Sequence, residues 1–283
     1  MKALILQRCR AMTPPGSGLE LPLLAYKNLG FLDSDDGRAL RILAEYLEPL
    51  YRFKHEQVHD TVVFFGSARL REDGPLGRYY DEARQLARRL TEWSKTLPGC
   101  CRFTVCSGGG GGIMEAANRG AAEAGGRTIG LNIGLPHEQR PNPYISPGLS
   151  LEFHYFFMRK LWFSHLARAL VVFPGGFGTL DELMEVLTLS QTQKLAPKIT
   201  VILYGSTYWR EIINFDALVR HDMINGEDLE LFHFADDPET AFSILKARLP
   251  KEQGERTPAF AKSRTSGSTI ATSGVQVPSE RTR

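Results

Sequence analysis

"ALVVFPGGFGTLDELMEVL", from Ala169 to Leu187, joins an apolar run, a glycine-rich turn and an amphipathic segment. The run ALVVF is too short for a buried helix and reads as a strand covered on both faces. Beyond the turn, Leu180, Leu183, Met184 and Leu187 follow the i, i+3, i+4, i+7 spacing of a helix with one apolar stripe. Thr179 and Glu182 stand in capping-box spacing, so the helix is expected to start at Thr179, with Thr179 as its cap. Glu182 lies off the apolar stripe and has a second reading. Glycine lets backbone approach a ligand closely, and the free amides of a helix start favour an anion. A carboxylate beside such a cradle is placed for chemistry.

The same unit occurs upstream in "VCSGGGGGIMEAANRG", Val105 to Gly120. Further apolar runs, "TVVFFG" from Thr61, "RTIGLNI" from Arg127, "PKITVILYG" from Pro197 and "ELFHFAD" from Glu230, read as strands. Between them lie helical stretches. "GRYYDEARQLARRLTEWSK" puts Tyr80, Ala83, Leu86, Ala87 and Leu90 on one face, and "IMEAANRGAAEAG" ends at Gly125-Gly126. "EFHYFFMRKLWFSHLAR", from Glu152, reads largely as a helix. Buried strands alternating with helices predict an α/β fold, a Rossmann-like doubly wound parallel sheet, over residues 55–250.

Residues 1–54 form an extension with one helix, in which Leu40, Leu43, Leu47 and Leu50 recur at helical spacing, expected to pack on the outside of the main domain. Residues 1–37 show no clear period. Residues 251–283 are polar and Ser/Thr-rich and are expected to be a disordered tail.

The 283 residues carry a formal charge of +2 and no dense Lys/Arg patch, which argues against nucleic acid. No apolar run reaches the ~18 residues of a membrane span, and the N-terminal run is too short for a secretory signal. A cytoplasmic protein is expected. Cys9, Cys100, Cys101 and Cys106 are too sparse for a disulfide framework and lack partners for a zinc site, so no metal is expected.

In open α/β sheets ligands bind beyond the carboxyl ends of the strands, where both glycine loops fall. "FFGSARL" adds Ser67 and Arg69 at a third strand end. Neither loop is G-x-G-x-x-G, since Ile113 and Asp181 take the place of the third glycine, and no P-loop is present. A phosphate held by amides, from Gly109 and Gly110 in one loop and Gly175, Gly176 and Gly178 in the other, fits a mononucleotide or sugar phosphate. Arg159-Lys160 sit in an otherwise apolar segment; they either snorkel from a buried helix or turn Arg159 into the cleft.

"SGGGGGIMEAANRGAAEAGG", "FFMRK" and "FPGGFGTLDE" together resemble the LOG (Lonely Guy) family of nucleoside 5′-monophosphate phosphoribohydrolases, whose members have often been labelled lysine decarboxylases. The resemblance spans roughly residues 61–234. Gly66-Ser67-Ala68 stands where the family commonly has Gly-Ser-Ser, and the first loop is similar to that of the longer bacterial variants. The resemblance implies a homodimer or higher homo-oligomer that splits a nucleotide into free base and ribose 5-phosphate without a cofactor. It assigns catalysis to Arg159 and Glu182, the phosphate loop to Gly175, Gly176, Gly178 and Thr179, and substrate contacts to Lys160, Glu138 and Glu115. A cytokinin riboside 5′-monophosphate is one candidate substrate beside AMP, GMP and pyrimidine monophosphates. The alternative is a carrier that holds a nucleotide or nucleotide-like cofactor without turnover. No Schiff-base lysine for pyridoxal phosphate is evident.

Overall fold

A computed structural model of the chain describes residues 22–98, 102–134, 140–194 and 198–249. Two compact units are distinguished, Met1–Leu50 and Tyr51–Arg283. In the first, a 3₁₀ turn at Ala25–Lys27 and a single-turn helix, Leu29–Leu32 (α1), lie in the stretch without sequence periodicity. The expected leucine-bearing helix runs from Arg38 to His55 (α2), so the unit boundary falls inside it. Leu40, Leu43, Leu47 and Leu50 remain exposed. The reading of residues 251–283 as a tail falls outside the described residues, as do Cys9, Cys100 and Cys101.

In the second unit, helices alternate with strands: Thr61–Phe65 (β1), Gly77–Ser94 (α3), Thr104–Ser107 (β2), Ile113–Glu123 (α4), Thr128–Ile133 (β3), Ser150–Phe153 (β4), Phe156–His165 (α5), Ala167–Val172 (β5), Phe177–Gln191 (α6), Thr200–Tyr204 (β6), Ser206–Ile212 (α7), Phe215–Arg220 (α8), Phe232–Ala235 (β7) and Pro238–Arg248 (α9). The sheet is parallel throughout, in the order β4-β3-β2-β1-β5-β6-β7. This is the doubly wound α/β architecture expected from the alternation of runs.

The central strands are buried on both faces, apart from the half-buried Arg168 near the start of β5, which is why they carry nearly continuous apolar runs. Successive side chains of a strand point to opposite faces. Val62, Phe64 and Val171 join Leu86 and Leu90 of α3, Ile113 of α4 and Leu245 of α9 in one core. Phe65, one residue on, meets Phe163 of α5 edge-on at 4.8 Å, so α5 covers the other face. The five apolar residues anticipated on α3 are all buried. Each such leucine contributes about 1.5–3 kcal/mol through burial.

One strand differs from the sequence reading. Ser150–Phe153 pairs with β3 through Gly130↔Ser150 to Ile133↔Phe153, and the helix begins only at Phe156. Leu151 and Phe153 face inward while Glu152 is exposed, the period-2 pattern of a strand. Merged with the apolar helix that follows, four residues are too few for that period to stand out.

At the amino-terminal end of the sheet, the buried Asp60 carboxylate accepts hydrogen bonds from Phe103 N–H at 2.6 Å and Arg102 Nε at 3.1 Å. This pair ties the approach to β1 to the approach to β2. The chain builds outward from β1 through β2, β3 and β4, then returns to place β5 on the other side of β1. The strand order therefore reverses between β1 and β5, and a crevice at their carboxyl ends is the expected ligand position.

Candidate functional site

Three loops meet at that reversal. Ser67, just past β1, donates its N–H to Pro174 O at 3.0 Å and accepts at its carbonyl from Ile113 N–H at 3.2 Å. The loop after β1 is thus fastened to both glycine loops. Gly112 has φ +61°, and a Cβ there would stand 2.2 Å from Ser67 O. A Cβ on Gly175 would stand 2.1 Å from Thr179 Oγ1 and 3.0 Å from Ser67 N. The glycines at these two positions are what allow the loops to touch. Ser67 Oγ accepts from Arg69 N–H at 3.1 Å, leaving its own proton to donate.

A buried polar network stands behind the first glycine loop. Ser107 Oγ accepts from Gly109 N–H at 3.1 Å and donates to Asn118 Oδ1 at 2.6 Å. Asn142, on the chain between β3 and β4, reaches Gly109 O at 2.8 Å through its backbone N–H. Its Nδ2 lies 3.2 Å from Gly109 O, 3.0 Å from Gly110 O and 2.9 Å from Asn118 Oδ1. Behind the second loop, Tyr208 Oη of α7 donates to Gly175 O at 2.8 Å. The sequence reading singled out neither Asn142 nor Tyr208. Asn142 sits in "PNPY", where an asparagine between prolines signals only a turn, and Tyr208 carries no local signal.

The capping reading is corrected. Helix α6 begins at Phe177 with Gly176 as N-cap, and no side chain of the described residues caps it. Thr179 is therefore the third helical residue and Glu182 the sixth, beyond reach of the first-turn amides. Gly176 reaches the N-cap conformation unaided, so the helix starts one turn ahead of the Thr-x-x-Glu pattern. Among the described residues its leading amides lack a side-chain acceptor, and none of those residues comes within 4 Å of a Cβ built at Gly176 or Gly178.

The charged residues of α5 and α6 converge on Glu182. Its side chain is 7% exposed, with Oε1 3.9 Å from Arg159 Nη2 and 3.8 Å from Lys160 Nζ. Both distances are too long for hydrogen bonds. Burial pushes the Glu182 carboxyl up to about 7; Lys160 and Arg159 oppose that rise, while Glu185 and Asp181 add to it. Arg159 lies over the Phe156 and Phe163 rings at 5.3 and 5.5 Å, and its buried Nε has no hydrogen-bond partner among the described residues. Burial holds its pKa below the usual guanidinium value despite Glu182 and Asp181. Lys160 contacts Asp181 and Glu185 at 2.8 Å each. Burial pulls its pKa down, but these two acids outweigh that and leave it raised.

The two cations of the apolar helix are therefore turned toward an acidic cluster. Glu115 is differently engaged, accepting from Tyr80 Oη of α3 at 3.0 Å. Glu138 falls outside the described residues. Cys106 is buried, and burial raises its thiol pKa well above the ordinary range, so it is no ready nucleophile. Among the described residues no group of three or more His, Cys, Asp or Glu is arranged to hold a metal ion. None of their helices is long and apolar enough to cross a membrane.

Residues 114–245 match the family model described as "Possible lysine decarboxylase". The chain is 26% identical over 192 residues to the cytokinin riboside 5′-monophosphate phosphoribohydrolase LOG2 of Arabidopsis thaliana, covering 67% of this chain and 83% of that protein. It is 30% identical over 131 residues to the cytokinin riboside 5′-monophosphate phosphoribohydrolase LOG of Oryza sativa subsp. japonica, covering 46% and 48%. Among solved structures, the molybdenum cofactor carrier protein of Chlamydomonas reinhardtii is 21% identical with a TM-score of 0.43, covering 67% of this chain and 98% of that one.

Proposed function

From the match of residues 114–245 to the family model and the similarity to LOG proteins, we propose that the chain belongs to the LOG family and hydrolyses the N-glycosidic bond of a nucleoside 5′-monophosphate, releasing free base and ribose 5-phosphate. One observation carries this reading: a buried carboxylate with a pKa of about 7, flanked by Arg159, stands on the helix that opens from a glycine loop at the sheet's switch point. A carrier needs the loops but not that carboxylate.

The 5′-phosphate docks on the amides of the glycine loops and the leading turn of α6, with Ser67 Oγ–H donating. Repulsion keeps Glu182 off the phosphate, so the carboxylate faces the ribose. As the bond from C1′ to the base nitrogen breaks, its electron pair leaves with the base and positive charge grows on the sugar. Ionised Glu182 stabilises that charge and accepts a proton from the water whose oxygen attacks C1′. The proton lost by water balances the one gained by the base. Arg159 lies beside the carboxylate, 3.9 Å away, and the docked phosphate anchors the ribose in front of it in ground and transition states alike. No cofactor or metal enters this chemistry.

Lys160 fits neither a Schiff base nor decarboxylation. A Schiff-base lysine needs a depressed pKa, whereas Asp181 and Glu185 keep this one raised. A cytokinin riboside 5′-monophosphate and AMP are the substrates to test first, and the protein is taken to act in the cytoplasm as a homodimer or higher homo-oligomer.

The test is incubation with a panel of nucleoside monophosphates and chromatographic assay of free base and ribose 5-phosphate. Measurable binding with no base released from any of them would favour the carrier and sink the hydrolase.

A further inference from the structure

We propose that Asn142 and Tyr208 are positioning residues that aim the backbone amides of the two glycine loops at the substrate's phosphate by holding the loop carbonyls from behind. The inference rests on the phosphate-docking reading of these loops and identifies what builds the dock.

A trans peptide is planar, with its C=O and the following N–H pointing in opposite directions. Whatever fixes a carbonyl on one side therefore fixes the next amide on the other. Asn142 takes the carbonyls of Gly109 and Gly110 through its N–H and Nδ2, which turns the amides of Gly110 and Gly111 away from it. Tyr208 takes Gly175 O at 2.8 Å, which turns the amide of Gly176 away. Ser67 N–H does the same at Pro174 O, at 3.0 Å, for the amide of Gly175. The two loops thus share one design although the clamps come from unrelated segments, the chain between β3 and β4 and helix α7.

Glycine alone would not produce this arrangement, because its backbone samples many conformations. A cradle whose amides must first be ordered binds an anion less tightly than one already ordered. Asn142 suits the task. It is buried, its Nδ2 also reaches Asn118 Oδ1, and its Oδ1 accepts from Tyr144 N–H at 3.2 Å, so its amide cannot flip without losing partners.

Asn142→Asp keeps the shape but sets an acceptor against two carbonyls, and Tyr208→Phe removes a single hydroxyl. Wild type and both variants are compared for kcat and KM on AMP, or on the monophosphate turned over best, and by calorimetry for ribose 5-phosphate, inorganic phosphate and the parent nucleoside. Each variant is expected to bind ribose 5-phosphate and phosphate about five- to tenfold more weakly, with KM raised to match. The kcat of each should stay within about twofold, and nucleoside affinity should be unchanged, because the lost contact serves ground and transition states alike.

Wild-type affinity for phosphate and ribose 5-phosphate in both variants would overturn the proposal. So would an equal loss for the nucleoside, or a fall in kcat with KM unmoved. If Asn142→Asp does not fold, Tyr208→Phe decides alone. A wild type that releases no base but binds ribose 5-phosphate removes the hydrolase reading, and the variants' affinities still decide the clamp. A wild type that binds no phosphate monoester removes both.

Discussion

Lys160 Nζ stands 3.8 Å from Glu182 Oε1 and yet spends its close contacts elsewhere, at 2.8 Å from Asp181 and from Glu185. Lys160 offsets part of the repulsion that Asp181 and Glu185 exert on Glu182, and its own charge still reaches the buried carboxylate. Glu182 is left without a direct hydrogen bond from either cation, in a site dry enough to hold its pKa at about 7. A carboxylate in that condition exchanges protons readily near neutrality.

Glu182→Gln is expected to lower kcat by about 10²–10⁴-fold while ribose 5-phosphate affinity is retained. Because Glu182 is not a helix cap, the substitution removes no capping bond. Steady-state kinetics with product-binding calorimetry checks this. Retained turnover would remove Glu182 from the chemistry.

The same variant is expected to be more stable than wild type above pH 7. The folded-state pKa of Glu182 is raised from 4.5 to about 7, so between those values the folded protein holds a proton that the unfolded chain has released. The group's contribution to stability is full below the unfolded value and is lost as pH rises through the folded one. Glutamine cannot ionise and escapes that loss. Thermal unfolding of both proteins from pH 4 to 9 should show the gap opening with pH, at roughly 2–4 °C for each kcal/mol recovered.

If ionised Glu182 acts on the reaction, kcat/KM rises with pH to a plateau, with a midpoint near the Glu182 pKa of about 7. Lys160→Met removes a charge that lowers that pKa, so the midpoint moves upward. A pH–rate profile of the two proteins tests the sign, and a downward movement would refute the electrostatic account.

Gly112→Ala is expected to destabilise the protein by more than about 1 kcal/mol, because alanine resists positive φ. Its Cβ would also stand 2.2 Å from a backbone oxygen, Ser67 O. Denaturant unfolding measures the loss. Ala at Gly176, with nothing within 4 Å, serves as the sterically open comparison.

Most of the architecture was legible because buried parallel strands leave continuous apolar runs and the helices between them leave a 3.6-residue period. β4 was not, since four residues at a sheet edge beside an apolar helix leave no distinct signature. Arg159 and Lys160 could be marked as charges in an apolar segment and Glu182 as a carboxylate beside a glycine cradle, and the structure brings the three together. The start of α6 was misplaced because glycine at an N-cap leaves no side-chain signal, while Thr179 and Glu182 imitate one. Asn142 and Tyr208 were out of reach, because each acts on backbone carbonyls more than thirty residues away in sequence.

The bonds from Ile113 N–H to Ser67 O and from Ser67 N–H to Pro174 O make the loops after β1, β2 and β5 one fastened piece. Transplanting the loop after β1 from a relative puts both bonds at risk, and transplanting either glycine loop puts one of them at risk. Loop exchange, the usual way of giving an α/β scaffold a new specificity, therefore has a minimum cassette here: all three segments are exchanged together, or the recipient loses its grip on the substrate before it gains a new one.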